Sequence, residues 1–175
     1  MESAIFGGGC FWCLDAVFRE VSGVRGVTCG YAGGDTNQPD YESVCAGTTG
    51  HAEVVRIDFD PTIVSYETLL TIFFSIHDPT TLNRQGHDVG SQYRSLIICL
   101  SEAQKSAVEG MIRSLTEAAI WPAPIVTEIA EGMPFHAAED YHQNYFARHP
   151  DQGYCAAVIA PKLARFRREF PGPAR

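Results

Sequence analysis

The chain has 175 residues, of which 45% are hydrophobic and 19% charged, and its formal net charge is −8 at pH 7. This composition predicts a single globular domain spanning residues 1–175, and the negative charge excludes a nucleic-acid surface made of clustered Lys and Arg. No apolar run is long enough to span a membrane. The first residues lack the features of a secretion signal, so we expect a cytoplasmic protein whose six cysteines are reduced thiols.

The first predicted elements are a strand over residues 3–6 and a helix over residues 10–21, joined by three glycines. Gly7 to Gly9 permit a tight turn, after which apolar residues recur at helical spacing. Cys10 therefore lies at a helix N-terminus, where unpaired N–H groups and the helix dipole favour a thiolate. The pattern is consistent with a reactive nucleophile and equally with a buried structural cysteine.

Further strands are predicted over residues 24–31, 51–60, 94–100 and 125–131, and further helices over 65–77, 101–119 and 138–148. The order is β-α-β-β-α-β-α-β-α. Its first six elements match the split β-α-β pattern of ferredoxin-like folds, so we predict an α+β sandwich with helices mainly on one face of the sheet. The segment after residue 148 contains Gly and Pro and predicts an irregular C-terminal tail.

Several polar residues fall at the edges of these elements, where functional sites are usually built. Tyr41, Glu53, Asp88 and Tyr93 are the main candidates, although each taken alone is also typical of a structural or solvated position. Glu53 precedes an apolar strand and is expected to point inward. A carboxyl group that is buried beside aromatic residues keeps its proton and can act as an acid near neutral pH.

A metal site is a weaker interpretation. His136, Glu139 and His142 have helical spacing and could face one way, but no zinc-enzyme motif is present. A histidine on an amphipathic helix is more commonly a hydrogen-bonded structural residue. We therefore expect neither a metal nor another cofactor.

Taken together, the motifs resemble those of peptide methionine-(S)-sulfoxide reductases of the A class. The resemblance covers residues 5–163 in the same order along the chain. The matching segments are Gly9-Cys10-Phe11-Trp12, Gly30-Tyr31-Ala32-Gly33-Gly34, Tyr41-Glu42-Ser43-Val44-Cys45, Gly50-His51-Ala52-Glu53, Asp88-Val89-Gly90-Ser91-Gln92-Tyr93, Ala138-Glu139-Asp140-Tyr141-His142-Gln143 and Gly153-Tyr154-Cys155.

The resemblance implies a role for each matching residue. The Cys10 thiolate attacks the sulfoxide sulfur, and Glu53 protonates the sulfoxide oxygen. The residues implied to bind substrate are Tyr41 and Tyr93 at the oxygen, Phe11 and Trp12 at the methyl group, and Tyr154. Asp88 is implied to help position the site through its hydrogen bonds.

The same resemblance implies how the enzyme is regenerated. Release of methionine leaves Cys10 as a sulfenic acid, which condenses with a second thiol to form a disulfide. The family's resolving cysteine matches Cys155, and thioredoxin is the implied reductant. Oxidised proteins, oxidised peptides and free methionine sulfoxide are the implied substrates of an enzyme expected to act as a monomer.

Two other functions remain open from the residues themselves. Cys10 and Cys13 have the Cys-x-x-Cys spacing of a general dithiol–disulfide oxidoreductase, and Phe11 with Trp12 could belong to a non-catalytic peptide-binding module. Residues one helical turn apart have Cβ atoms about 5–6 Å apart, whereas a relaxed disulfide needs about 3.8 Å. This comparison disfavours a Cys10–Cys13 disulfide and favours Cys155 on a mobile tail.

Overall fold

A computed structural model describes residues 1–171 of the protein. The strands are β1 (Glu2–Gly7), β2 (Val24–Ala32), β3 (Ala52–Phe59), β4 (Arg84–Gln85), β5 (Asp88–Val89), β6 (Leu96–Cys99), β7 (Glu128–Glu131) and β8 (His136–Ala137). The α-helices are α1 (Phe11–Phe18), α2 (Tyr41–Cys45), α3 (Tyr66–Ile76), α4 (Glu102–Glu117), α5 (Tyr145–Arg148) and α6 (Ala160–Glu169). Short 3₁₀ turns occupy Ser91–Tyr93 and Asp140–His142, and a π-helical turn occupies Cys155–Ile159.

Six strands form one sheet in the order β7-β6-β1-β3-β2-β8. All neighbours are antiparallel except β6 and β7, which are parallel. The four central strands, in the order β6-β1-β3-β2, belong to two interleaved β-α-β units. The predicted α+β class and ferredoxin-like order are therefore confirmed.

The core lies mainly between one face of the sheet and the helices. Val55, Ile57 and Phe59 of β3 belong to the large apolar cluster that also contains residues of α1 and α3, whereas Val54 belongs to a smaller cluster on the opposite face. Side chains alternate between the two faces along a strand. Glu53 is in phase with Val55, so β3 directs this carboxyl group towards the helices.

The prediction of a helix over residues 138–148 is wrong. Only Tyr145–Arg148 is α-helical, and Asn144 has a positive φ of 53°, which interrupts the helix. The segment is held instead by contacts to α1: the Asn144 amide donates to the buried Asp15 carboxylate at 2.8 Å, and the Trp12 indole donates to His142 Nδ1 at 3.1 Å. These contacts to α1 override the local helical pattern.

The prediction of an irregular C-terminal tail is also wrong. The π-helical turn leads directly into α6, and Ile159, Leu163 and Phe166 are all buried in the main core. Their spacing places them on one helical face. Pro161 lies in the first turn of α6, where a missing N–H is tolerated, so it does not break the helix. Among residues 1–171, no helix is both long and apolar enough to cross a membrane.

Candidate active site

Cys10 lies between the glycine turn and α1. Gly9 has a φ of 86°, which favours glycine, and its amide donates to the Tyr93 carbonyl at 3.1 Å. Cys10 itself is the N-cap of α1, with an extended backbone (φ −65°, ψ 130°) and no side-chain capping bond. The predicted position of this thiol at a helix N-terminus is confirmed.

Glu53 lies directly beneath this helix start. Its side chain is 1% exposed, and its Oε1 accepts the Phe11 amide at 3.1 Å. Burial raises the pKa of Glu53 to about 8, although the Phe11 hydrogen bond opposes the shift. The carboxyl group is therefore mostly protonated at neutral pH, and one oxygen stays bound to the residue next to Cys10.

The resting thiol is less acidic than its position on the helix predicts. Burial raises the pKa of Cys10 well above its ordinary value, and the Glu53 and Cys13 charges raise it further. A hydrogen bond from the Trp12 backbone lowers it by less. Burial therefore opposes the stabilisation that a helix N-terminus offers to a thiolate at this position.

Tyr41 and Tyr93 also lie close to Glu53. Burial is the main cause that raises the pKa of each tyrosine, and the Glu53 charge raises both further. Both hydroxyl groups consequently keep their protons at neutral pH and remain donors. The Tyr41 backbone is fixed by Glu139, whose Oε2 accepts the Tyr41 amide at 3.1 Å while its Oε1 accepts the Tyr31 hydroxyl at 2.8 Å.

The two aromatic residues after Cys10 have different surroundings. Phe11 is fully buried, with its ring centroid 5.7 Å from Tyr31 and 5.1 Å from His142. Trp12 is partly exposed and stacks on Tyr145 with centroids 3.8 Å apart and ring planes 5° apart. Trp12 can therefore contact a ligand directly, whereas Phe11 supports the site from the core.

On another side of Cys10 lies a cavity of about 780 Å³, which Cys13, Asp88 and Tyr154 also line. The Tyr154 hydroxyl donates to Asp88 Oδ2 at 2.7 Å and lies 3.9 Å from Cys13 Sγ. Glu53 does not line this cavity. Cys10 thus lies between the Glu53 carboxyl group, which accepts the amide of the next residue, and a separate, largely apolar cavity.

Cys155 is fully buried in the π-helical turn, and its amide donates to Gln152 at 3.0 Å. It is not on a mobile tail. Cys29 and Cys99 are buried in strands, and all six cysteines are free thiols.

Three residues near the site have no role that the sequence predicts. The pattern of Glu139 and His142 suggests only metal ligands, and Tyr145 belongs to no motif that indicates a function. Their roles depend on contacts with Tyr41 and Trp12, which no local pattern reveals. Among residues 1–171, no group of three or more His, Cys, Asp or Glu side chains is arranged to hold a metal ion.

Comparisons with known proteins identify the family that this chain is similar to. The family described as peptide methionine sulfoxide reductase matches residues 2–173. A peptide methionine sulfoxide reductase of Chromobacterium violaceum is 55% identical over 170 residues, covering 97% of this chain and 97% of that protein. Reduced Mxr1 of Saccharomyces cerevisiae superimposes with a TM-score of 0.78 at 32% identity, covering 88% of each chain. Methionine sulfoxide reductase A of Corynebacterium diphtheriae gives a TM-score of 0.77 at 34% identity, covering 89% of this chain and 78% of that one.

Proposed function

The chain belongs to the peptide methionine sulfoxide reductase family and is an enzyme that reduces methionine sulfoxide, and we propose that Cys10 and Glu53 carry out the chemical step. One observation supports this assignment most strongly. The buried Glu53 carboxyl group, with a pKa raised to about 8, is hydrogen-bonded to the amide that follows Cys10. A nucleophile and a protonated acid are thereby held side by side.

In the proposed reaction, the Cys10 thiolate attacks the sulfoxide sulfur while Glu53 protonates the oxygen. Tyr41 and Tyr93 donate hydrogen bonds to the same oxygen. The sulfur–oxygen bond of the substrate breaks, methionine leaves, and the oxygen remains on Cys10 as a sulfenic acid. The substrate sulfur is reduced by two electrons and the Cys10 sulfur is oxidised by two.

The substrate methyl group is proposed to lie against Trp12, with Phe11 behind it. Asp88 and Tyr154, joined by their 2.7 Å hydrogen bond, are proposed to close the edge of the site. A chiral sulfur can present its oxygen to Glu53 and its methyl group to Trp12 in only one arrangement. We therefore propose selectivity for the S epimer, whether free or in peptides and proteins.

Regeneration requires a second thiol and an external reductant. Cys155 is the thiol that the resemblance implies, and we retain it as the residue that passes the disulfide to a thioredoxin. Yeast Mxr1 has been solved in complex with Trx2, which supports a reductant of this kind. Because Cys155 is buried, its helical turn must open before its sulfur can react. We further propose one catalytic domain over residues 1–175 that acts as a cytoplasmic monomer.

A thioredoxin-coupled assay with separated epimers tests these assignments. We expect reductant oxidation only when both the S epimer and Cys10 are present, and none with Cys10→Ser. Comparable turnover of the R epimer would contradict the proposed orientation. Sulfoxide-independent reduction of protein disulfides would instead support a general dithiol oxidoreductase, and binding without turnover would support a peptide-binding module.

A further inference from the structure

Two thiols face the same cavity. Cys10 and Cys13 both line the space of about 780 Å³ next to the site, and the Cys13 amide donates to the Cys10 carbonyl at 3.1 Å. Much of the remaining lining is apolar and comes from α3, the end of α4 and the segment around Val158. A reaction between the two sulfurs would therefore take place in a space that already contains both of them.

A tyrosine hydroxyl and a positively charged side chain lie near Cys13. Its sulfur lies 3.9 Å from the Tyr154 hydroxyl, and Lys162 lines the same cavity. Burial raises the pKa of Cys13, and the Lys162 charge opposes that shift. Within the described part of the chain, Lys162 makes no salt bridge, so its charge remains available to a Cys13 thiolate.

The backbone also removes the geometric objection to a Cys10–Cys13 disulfide. The separation of about 5–6 Å applies to two helical residues. Cys10 is not helical, since its ψ is 130°, and only Cys13 lies within the first turn of α1. A Cys-x-x-Cys pair is a known redox arrangement in which one thiol attacks the other, and a helix N-terminus promotes thiolate formation.

Cys155 is placed less favourably for the first step. It is fully buried, its turn is continuous with α6, and Ile159 and Leu163 anchor the following residues in the core. Reaction of Cys155 requires that this turn opens. Cys13 needs no such change, because it already lines the cavity that Cys10 lines.

We propose that Cys13, and not Cys155, is the first thiol to capture the Cys10 sulfenic acid. This inference rests on the proposed function, because it requires that sulfenic acid. The Cys13 sulfur attacks the Cys10 sulfur, the Cys10 sulfur–oxygen bond breaks, and the hydroxyl group leaves as water with the Cys13 proton. Cys13 is oxidised and Cys10 is reduced as their disulfide forms. Cys155 then acts in a later thiol–disulfide exchange, once its turn has opened.

A single-turnover experiment tests this order. Fully reduced enzyme, freed of reductant, receives one equivalent of a methionine sulfoxide peptide and is quenched with dimedone, which marks sulfenic acid, and with iodoacetamide, which marks free thiols. Mass spectrometry then locates each modification. Cys155→Ser should release one methionine and form a Cys10–Cys13 disulfide without a dimedone adduct. For each methionine released, Cys13→Ser should accumulate at least tenfold more dimedone adduct on Cys10 at early times.

Cys99→Ser is the matched control and should behave like the wild type, because Cys99 lies in β6 and does not line the cavity. If Cys155→Ser instead leaves Cys10 as a persistent sulfenic acid with Cys13 still open to iodoacetamide, the inference is wrong. The Cys155→Ser experiment leaves Cys13 unaltered, so it does not depend on whether the Cys13→Ser variant folds. Absence of any methionine release in the wild type would contradict the proposed function itself.

Discussion

Replacing Glu53 by Gln removes the proposed acid and keeps the side chain's shape. The Gln carbonyl oxygen can still accept the Phe11 amide, which is 3.1 Å from Glu53 Oε1. With a pKa of about 8, Glu53 is protonated in about nine of ten molecules at pH 7. Gln cannot donate that proton, so we expect the rate of sulfoxide reduction to fall by about 10²-fold or more.

The pH profile provides a second readout. In the reactive form, Cys10 and Glu53 together carry one proton, with Cys10 as thiolate and Glu53 as acid. In the resting form they carry two. Because the pKa of Glu53 is about 8 and burial raises the pKa of Cys10 well above its ordinary value, wild-type kcat/KM should rise with pH up to about 8 and then level off. The Glu53→Gln profile should show no break near pH 8.

Stability distinguishes loss of the acid from loss of the fold. The folded state keeps the Glu53 proton that the unfolded chain releases, since folding raises the pKa from 4.5 to about 8. Wild-type stability therefore decreases as pH rises through this window and is constant above it. Gln does not titrate, so the variant does not lose this stability as pH rises. Its free energy of unfolding should exceed that of the wild type by up to about 3 kcal/mol at pH 7. Urea unfolding at pH 5 and pH 8 measures the difference. A variant that keeps near wild-type rates from pH 6 to 9 would refute the acid assignment.

Two further substitutions test the hydrogen bond between Tyr154 and Asp88 and the close backbone approach at Gly34. Tyr154→Phe removes the 2.7 Å hydrogen bond to Asp88. With dithiothreitol as reductant, we expect kcat/KM to fall roughly tenfold, which is the size expected for loss of a hydrogen bond to a carboxylate. An unchanged kcat/KM would exclude this pair from substrate binding. Gly34→Ala would place a Cβ 2.3 Å from the Thr49 carbonyl oxygen, so urea unfolding should show a loss of about 1–3 kcal/mol. Its control is Gly110→Ala in α4, where a Cβ meets no atom within 4 Å and helix propensity should add about 0.5–1 kcal/mol. Equal stability of these two variants would contradict the close approach at Gly34.

Local sequence patterns were sufficient to predict the strand and the helix start that position the site. Alternation of apolar residues placed Val55, Ile57 and Phe59 on one face of β3, and the same phase places Glu53 beneath α1. The glycine turn followed by helical spacing placed Cys10 at the start of α1. These features depend on backbone periodicity and turn chemistry, which neighbouring residues determine among themselves.

The chemistry of the site depends on contacts between distant segments. Glu53 is 42 positions from the amide that it accepts, and Trp12 is 130 positions from His142. Only the tertiary structure shows that burial raises the pKa of Cys10, that α1 holds the segment around His142, and that Cys155 is packed inside a helix. Local propensity does not specify burial or hydrogen-bond partners, because both are created when segments far apart in the chain pack together.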